Sequence, residues 1–128
     1  MSEGYRDLYE KPLEWLVTEG YSDVAADVLR EIHPAAEIYR ITDPTHYFFS
    51  YLFLMTAEGA LDIGGFTTVE ALIEQHGDEE CCLAEPTTPE AVAAYFHDNG
   101  REDLEIRIVL ERMREHVRNH PEKFNRNA

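Results

Sequence analysis

An all-α single domain is the architecture this sequence predicts: an irregular bundle of five to seven helices around a central aromatic-rich helix. Three patterns predict it. Apolar residues recur every three or four positions along most of the chain; glycines follow these runs at Gly20, Gly59, Gly77 and Gly100; and start signals stand before several of them. A glycine after a periodic run fits the left-handed residue just beyond a helix C-terminus, and Ser, Thr or Asp before one fits an N-cap. The length of 128 residues suits one domain, 1–128, with residues 121–128 expected as a flexible tail.

Taken in order, Pro12 starts or kinks the first helix, 12–19, and leaves residues 5–10 as a loose turn. Ser22-Asp23 caps a helix over 22–32 whose stripe is Val24, Val28, Leu29 and Ile32. Residues 35–41 stay open between helix and strand, because Ala36, Ile38 and Arg40 permit either period. Asp43-Pro44 supplies an N-cap and a first-turn proline for the central helix, 44–58. There Tyr47, Phe48, Phe49, Tyr51, Leu52, Phe53, Leu54 and Met55 surround the axis, so the helix must be buried all round. Gly64-Gly65 makes a turn between two helices. Thr67-Thr68-Val69-Glu70 and Thr87-Thr88-Pro89-Glu90 fit capping boxes that open helices 67–76 and 88–98, separated by an irregular loop over 77–87. The last helix, 101–119, carries the clearest stripe: Ile106, Val109, Leu110, Met113 and Val117.

Composition excludes several functions. With 44% apolar and 11% aromatic residues, the chain is too hydrophobic for disorder despite its net charge of −15. That charge works against non-specific nucleic-acid binding, since phosphates are repelled. Adjacent Cys81 and Cys82 cannot build a secreted disulfide framework, and reduced thiols are expected. Acidic Glu3, Asp7 and Glu10 are wrong for a secretory n-region, and the apolar run Tyr47–Met55 falls short of a membrane span. The expectation is a cytoplasmic protein without membrane partners or a cofactor. No dinucleotide fingerprint, P-loop, nucleophile elbow or EF-hand loop is present in the sequence.

The acidity is uneven. Residues 58–105 carry thirteen acids and a single base, net −12, whereas residues 106–128 are net +3. A carboxylate surface over Glu70, Glu74, Asp78, Glu79, Glu80, Glu85 and Glu90 is therefore the expected docking place for a basic protein partner. The function expected is a non-catalytic binding protein of inhibitor, immunity-like or adaptor type. Self-association into a homodimer is a second expectation, with Tyr47, Phe48, Tyr51 and Phe53 as its apolar centre and the basic C-terminal helix set against the acidic middle of another copy.

Four histidines, His33, His76, His97 and His120, fall at the ends of proposed helices, where the dipole alone favours them. His116 and His120 stand at i, i+4 and supply half of a zinc site, but Val117 replaces the glutamate of the zincin pattern, and Arg114 and Arg118 oppose a cation; a solvated helix end is the expectation. An enzyme alternative comes from Arg114 and His120, which resemble the Arg-x(4–6)-His catalytic pair of HEPN ribonucleases. The resemblance covers these two residues of the C-terminal helix. It implies a helical bundle in which His120 is the acid–base catalyst and Arg114 stabilises the phosphate; Glu115 departs from the usual polar residue beside the arginine.

Overall fold

A computed structural model of the chain describes residues 3–43, 48–76, 82–97 and 101–124. Its centre is an antiparallel five-stranded sheet, so the all-α helical bundle is overturned and the architecture is mixed α/β. The elements run α1 (Glu3–Glu10), α2 (Leu13–Leu16), a π-helical turn (Val17–Tyr21), α3 (Ser22–Ile32), β1 (Glu37–Asp43), β2 (Phe48–Thr56), β3 (Gly59–Asp62), β4 (Gly65–Thr67), α4 (Val69–His76), β5 (Leu83–Pro86), α5 (Pro89–His97), α6 (Asp103–Asn119) and α7 (Pro121–Phe124). Strand order is β4-β3-β2-β1-β5, and α4 carries the chain from one edge strand to the other.

The largest correction concerns 44–58. Residues 44–47 lie outside the described residues, and 48–56 form the central strand instead of a central helix. Its apolar character all round has a different cause from the one expected. Tyr51 and Phe53 join one buried cluster with Ile41, Ala60 and Leu72, whereas Leu52 and Leu54 join another with Ala26, Leu29, Ile38, Leu61 and Phe124. A strand covered on both faces needs apolar side chains at odd and even positions alike. Ile38 stands opposite Leu54, Tyr39 opposite Phe53, and Ile41 opposite Tyr51; the register slips between Ile41 and Thr42. The 35–41 segment resolves as strand β1.

The glycines follow from the same revision. Gly59, at φ 132°, ends the β2–β3 hairpin turn rather than a helix. Gly64-Gly65 turns β3 into β4 rather than joining helices. Gly20, at φ 109°, sits inside the π-helical turn that runs α2 directly into α3. Gly77 and Gly100 lie outside the described residues. The loop expected over 77–87 contains edge strand β5, paired with β1.

Several helix ends use partners other than those expected. Residues 5–10 belong to α1; the carbonyls of Leu8, in its last turn, and of Lys11, just beyond it, each accept a 2.7 Å hydrogen bond from Arg112 Nη1 of α6. Ser22 and Asp23 lie within α3 and cap nothing. Ser22 Oγ accepts the Leu52 N–H, and Asp23 forms a two-bond ion pair with Arg101 at 2.9 and 2.7 Å. Thr68 and Thr88 provide the caps of α4 and α5, accepting the N–H groups of Ala71 and Ala91 at 3.1 Å. A Glu102–Glu105 capping box opens α6. Residues 121–124 are the helical turn α7, with Phe124 fully buried, so this part of the expected tail is anchored; 125–128 lie outside the described residues. Among the described residues no helix is long and apolar enough to cross a membrane.

Candidate functional site

A cleft of about 320 Å³ opens where α2, the π-helical turn, the β3–β4 turn and α4 meet. Its polar side chains include Glu14, Thr18, Asp62, Gln75 and His76, and Tyr51 forms part of its wall. Each is placed by local necessity. Asp62 ends β3, and its Oδ1 accepts the Gly64 N–H at 2.9 Å, the side-chain bond of an Asx turn that bends the chain into β4. Its Oδ2 accepts the Tyr51 hydroxyl at 3.0 Å. Tyr51 is only 2% exposed, so this hydrogen bond is what satisfies a phenol held at the middle of the sheet. His76, the last residue of α4, lies flat on the Tyr51 ring, centroids 3.7 Å apart and planes within 2°.

Burial decides the electrostatics. It pushes the Asp62 carboxyl above its ordinary range; the hydrogen bonds from Tyr51 and Gly64 and the proximity of His76 oppose this, and Glu14 adds to it. Burial likewise lowers His76, with Asp62 pulling the other way. The Tyr51 hydroxyl is raised, by burial first and then by Asp62. Among the described residues, the lining holds two carboxyl groups and no lysine or arginine. Such a cleft can receive a cationic group, accept its N–H donors, and exchange protons through Asp62 and His76.

The acidic surface expected from the sequence is brought together in part. Val69, Leu72, Ile73 and His76 form the inward face of α4, and Glu70 and Glu74 stand exposed on its outer side. Neither makes an ion pair among the described residues. At i, i+4 the two like charges destabilise the helix by roughly 0.2–0.5 kcal/mol, whereas Glu70 in the first turn gains about 0.3–1 kcal/mol from the helix dipole. Glu90 is exposed in the first turn of α5. Glu85 is half-buried on β5 and held by Arg40 of β1, whose Nε donates to Oε1 at 2.7 Å, so its charge is taken up within the sheet. Asp78, Glu79 and Glu80 lie outside the described residues.

The other expected sites fare differently. Tyr51 and Phe53 are 2% and 1% exposed within a single chain and present no surface to a second copy; Tyr47 and the Phe48 side chain lie outside the described residues. His116 and His120 do approach each other, ring centroids 4.7 Å apart, yet among the described residues no group of three or more His, Cys, Asp or Glu could hold a metal ion. Arg114 is bound to Glu31 through Nε at 3.1 Å and Nη2 at 2.6 Å. Its spacing from His120 turns the two side chains about 120° apart around the helix axis. The shallow cleft lined by His120 contains Arg112 rather than Arg114. The helical bundle that the ribonuclease resemblance implies is not this fold. Cys82 is a free thiol, and Cys81 lies outside the described residues.

Sequence reasoning passed over Glu14 and Asp62, and it read His76 only as a helix-end histidine. The signal for Asp62 was the run Asp62-Ile63-Gly64-Gly65, an Asx-turn composition that marks a hairpin once the flanks are strands. Nothing in the sequence pairs Glu14 with it, because only the fold joins α2 to the β3–β4 turn. No protein-family model, curated protein or solved structure matches the chain.

Proposed function

We propose that the chain is a non-catalytic binding protein that docks a basic macromolecular partner across the outer face of α4 and the cleft beside it. The observation that carries this reading is negative charge without a basic partner on two sides of one helix, the exposed face of α4 and the cleft that α4 lines. Glu70 and Glu74 are exposed on the helix that also contributes Leu72, Gln75 and His76 to the cleft, where Glu14 and Asp62 meet no lysine or arginine. A partner lysine or arginine entering the cleft would lower the free energy of a carboxyl group that burial alone leaves disfavoured. Exposed carboxylates on α4 would steer such a partner from a distance of roughly one Debye length, about 8–10 Å at ordinary salt. The reading takes a cytoplasmic setting, in which the Cys82 thiol stays reduced.

Affinity capture from host lysate tests it, with wild type and the Glu70→Lys/Glu74→Lys variant compared at low and high salt. Basic proteins retained by wild type at low salt, released by high salt and missed by the variant are the expected result. Equal retention by both chains, or binding indifferent to salt, would overturn it.

A further inference from the structure

We propose that a second cleft, between α3, α5 and α6, binds a small apolar amine, with its hydrocarbon body against the helices and its ammonium group on Asp27. The cleft has a volume of about 480 Å³ and shares no lining residue with the one beside α4. Its walls follow from helical spacing. Ile106 and Leu110 stand one turn apart on α6, and Val92 and Ala93 come from α5. Val24 of α3 and Ile38 of β1 form the buried part of the wall. A concave space of this size, with apolar walls and a few polar groups, has the make-up of a small-molecule site.

Charge at the cleft decides the sign of the ligand. Asp23, Asp27 and Glu31 stand in a row along α3 at successive i, i+4 positions. Both ends of the row are satisfied: Asp23 by Arg101 at 2.9 and 2.7 Å, and Glu31 by Arg114 at 3.1 and 2.6 Å. Asp27, between them, makes no hydrogen bond or ion pair among the described residues. Like charges at this spacing destabilise a helix, so Asp27 costs α3 stability that no arginine returns. The residue is exposed, yet partial burial of its carboxyl and then the Asp23 charge push it above the ordinary range; Arg30 and Arg101 oppose this, and Glu31 adds to it. Asp103, also in the lining, lies in the first turn of α6, where the helix dipole already favours its charge. Asp27 is therefore the group that an incoming cation relieves.

Sign and shape together select the ligand. An anion would meet Asp27 and Asp103, while Arg101, the basic side chain of the lining, is engaged with Asp23. A neutral hydrocarbon would cover the walls and leave Asp27 as it is. An ammonium group on an aryl or short alkyl body does both: its N–H groups donate to the carboxylate, and its body removes the apolar walls from water. This inference stands apart from the binding reading, because the cleft is built from other elements and its ligand is a free small molecule rather than a basic protein.

Methyl NMR of the full chain, titrated with phenethylamine, phenethyl alcohol and hydrocinnamate at neutral pH, provides the test. Phenethylamine should give saturable shifts at Val92, Ile106 and Leu110 and bind roughly three- to ten-fold more tightly than the alcohol, with hydrocinnamate weakest. Asp27→Asn should bring the amine down to the affinity of the alcohol and leave the alcohol unchanged. Ala93→Phe, which fills the cleft from α5, should abolish both. Shifts that never saturate, shifts confined to the cleft beside α4, an alcohol that binds as tightly as the amine, or a preference that persists in Asp27→Asn would each overturn the proposal. Equal binding of a blocked lysine amide would assign the cleft to a partner's side chain and overturn it as well. Should either variant fail to fold, the ranking of the ligands on the unaltered chain decides.

Discussion

Replacing Asp62 by alanine and by asparagine should give outcomes of different size, and the pH dependence of the asparagine variant probes the electrostatic premise of the site. Alanine removes the acceptor of the Tyr51 hydroxyl, leaving a donor stranded on a residue that is 2% exposed. An unsatisfied buried hydroxyl costs about 1–3 kcal/mol. The Gly64 N–H also loses its partner but can turn to water, so the total should be near ~2 kcal/mol. Asparagine keeps the Gly64 contact through Oδ1 and offers Nδ2 to the phenol oxygen, but the phenol O–H then has no acceptor. Asparagine also removes a charge that burial disfavours. Asp62→Asn should therefore cost less than Asp62→Ala at pH 7, by ~1 kcal/mol, because the relieved charge and the kept Gly64 contact offset part of the stranded hydroxyl. The pH dependence has a definite sign. A carboxyl raised in the folded state adds stability in acid that is lost as pH rises through its folded pKa. The asparagine variant should thus gain on wild type from the unfolded value of 3.8 upward, and the gain should level off once Asp62 is ionised. Urea unfolding of the three chains at several pH values measures this directly. If the asparagine variant instead loses ground to wild type as pH rises above 3.8, a cation must be stabilising the carboxylate, and the premise of an uncompensated cleft fails.

Other perturbations test the frame around the site. Arg101→Met strands Asp23 at 11% exposure and should cost about 3 kcal/mol in urea unfolding, whereas pairing it with Asp23→Leu should recover most of the loss; simple additivity would contradict a coupled pair. Gly65→Ala combines a left-handed backbone with a 3.1 Å approach to the Lys123 carbonyl and should cost about 1–3 kcal/mol, read as a lowered thermal midpoint. A neutral outcome there would mean that α7 does not press on β4.

Much of the helical frame was legible because periodicity and caps act locally. The segment 22–32 coincides with α3, and 67–76, 88–98 and 101–119 differ from α4, α5 and α6 only at their ends. The sheet escaped detection for one physical reason. An apolar run such as Tyr51-Leu52-Phe53-Leu54-Met55 satisfies a helix buried all round and a strand buried on both faces equally well. Its aromatic content and the Ala57-Glu58-Gly59 turn favoured the strand. Once β2 is a strand, the 35–41 ambiguity resolves, since Ile38 and Ile41 find Leu54 and Tyr51 across the ladder.

The site divided in the same way. Glu70 and Glu74 could be seen as an acidic stripe because i, i+4 spacing is a property of α4 alone. Glu85 could not be excluded, since its neutralisation by Arg40 depends on β5 pairing with β1 across 45 residues of sequence. Asp62, His76 and Glu14 meet only through the tertiary fold, and the net charge of −15 says nothing about their convergence.

NMR mapping of an arginine-rich peptide onto the isotope-labelled chain tests the binding account most directly. The account predicts peptide-induced shifts confined to α4, α2 and the β3–β4 turn. They should shrink with added salt and disappear in Glu70→Lys/Glu74→Lys, but survive the equally charged control Glu111→Lys/Glu115→Lys on α6. Shifts scattered over the acidic surface, or abolished equally by both variants, would contradict it.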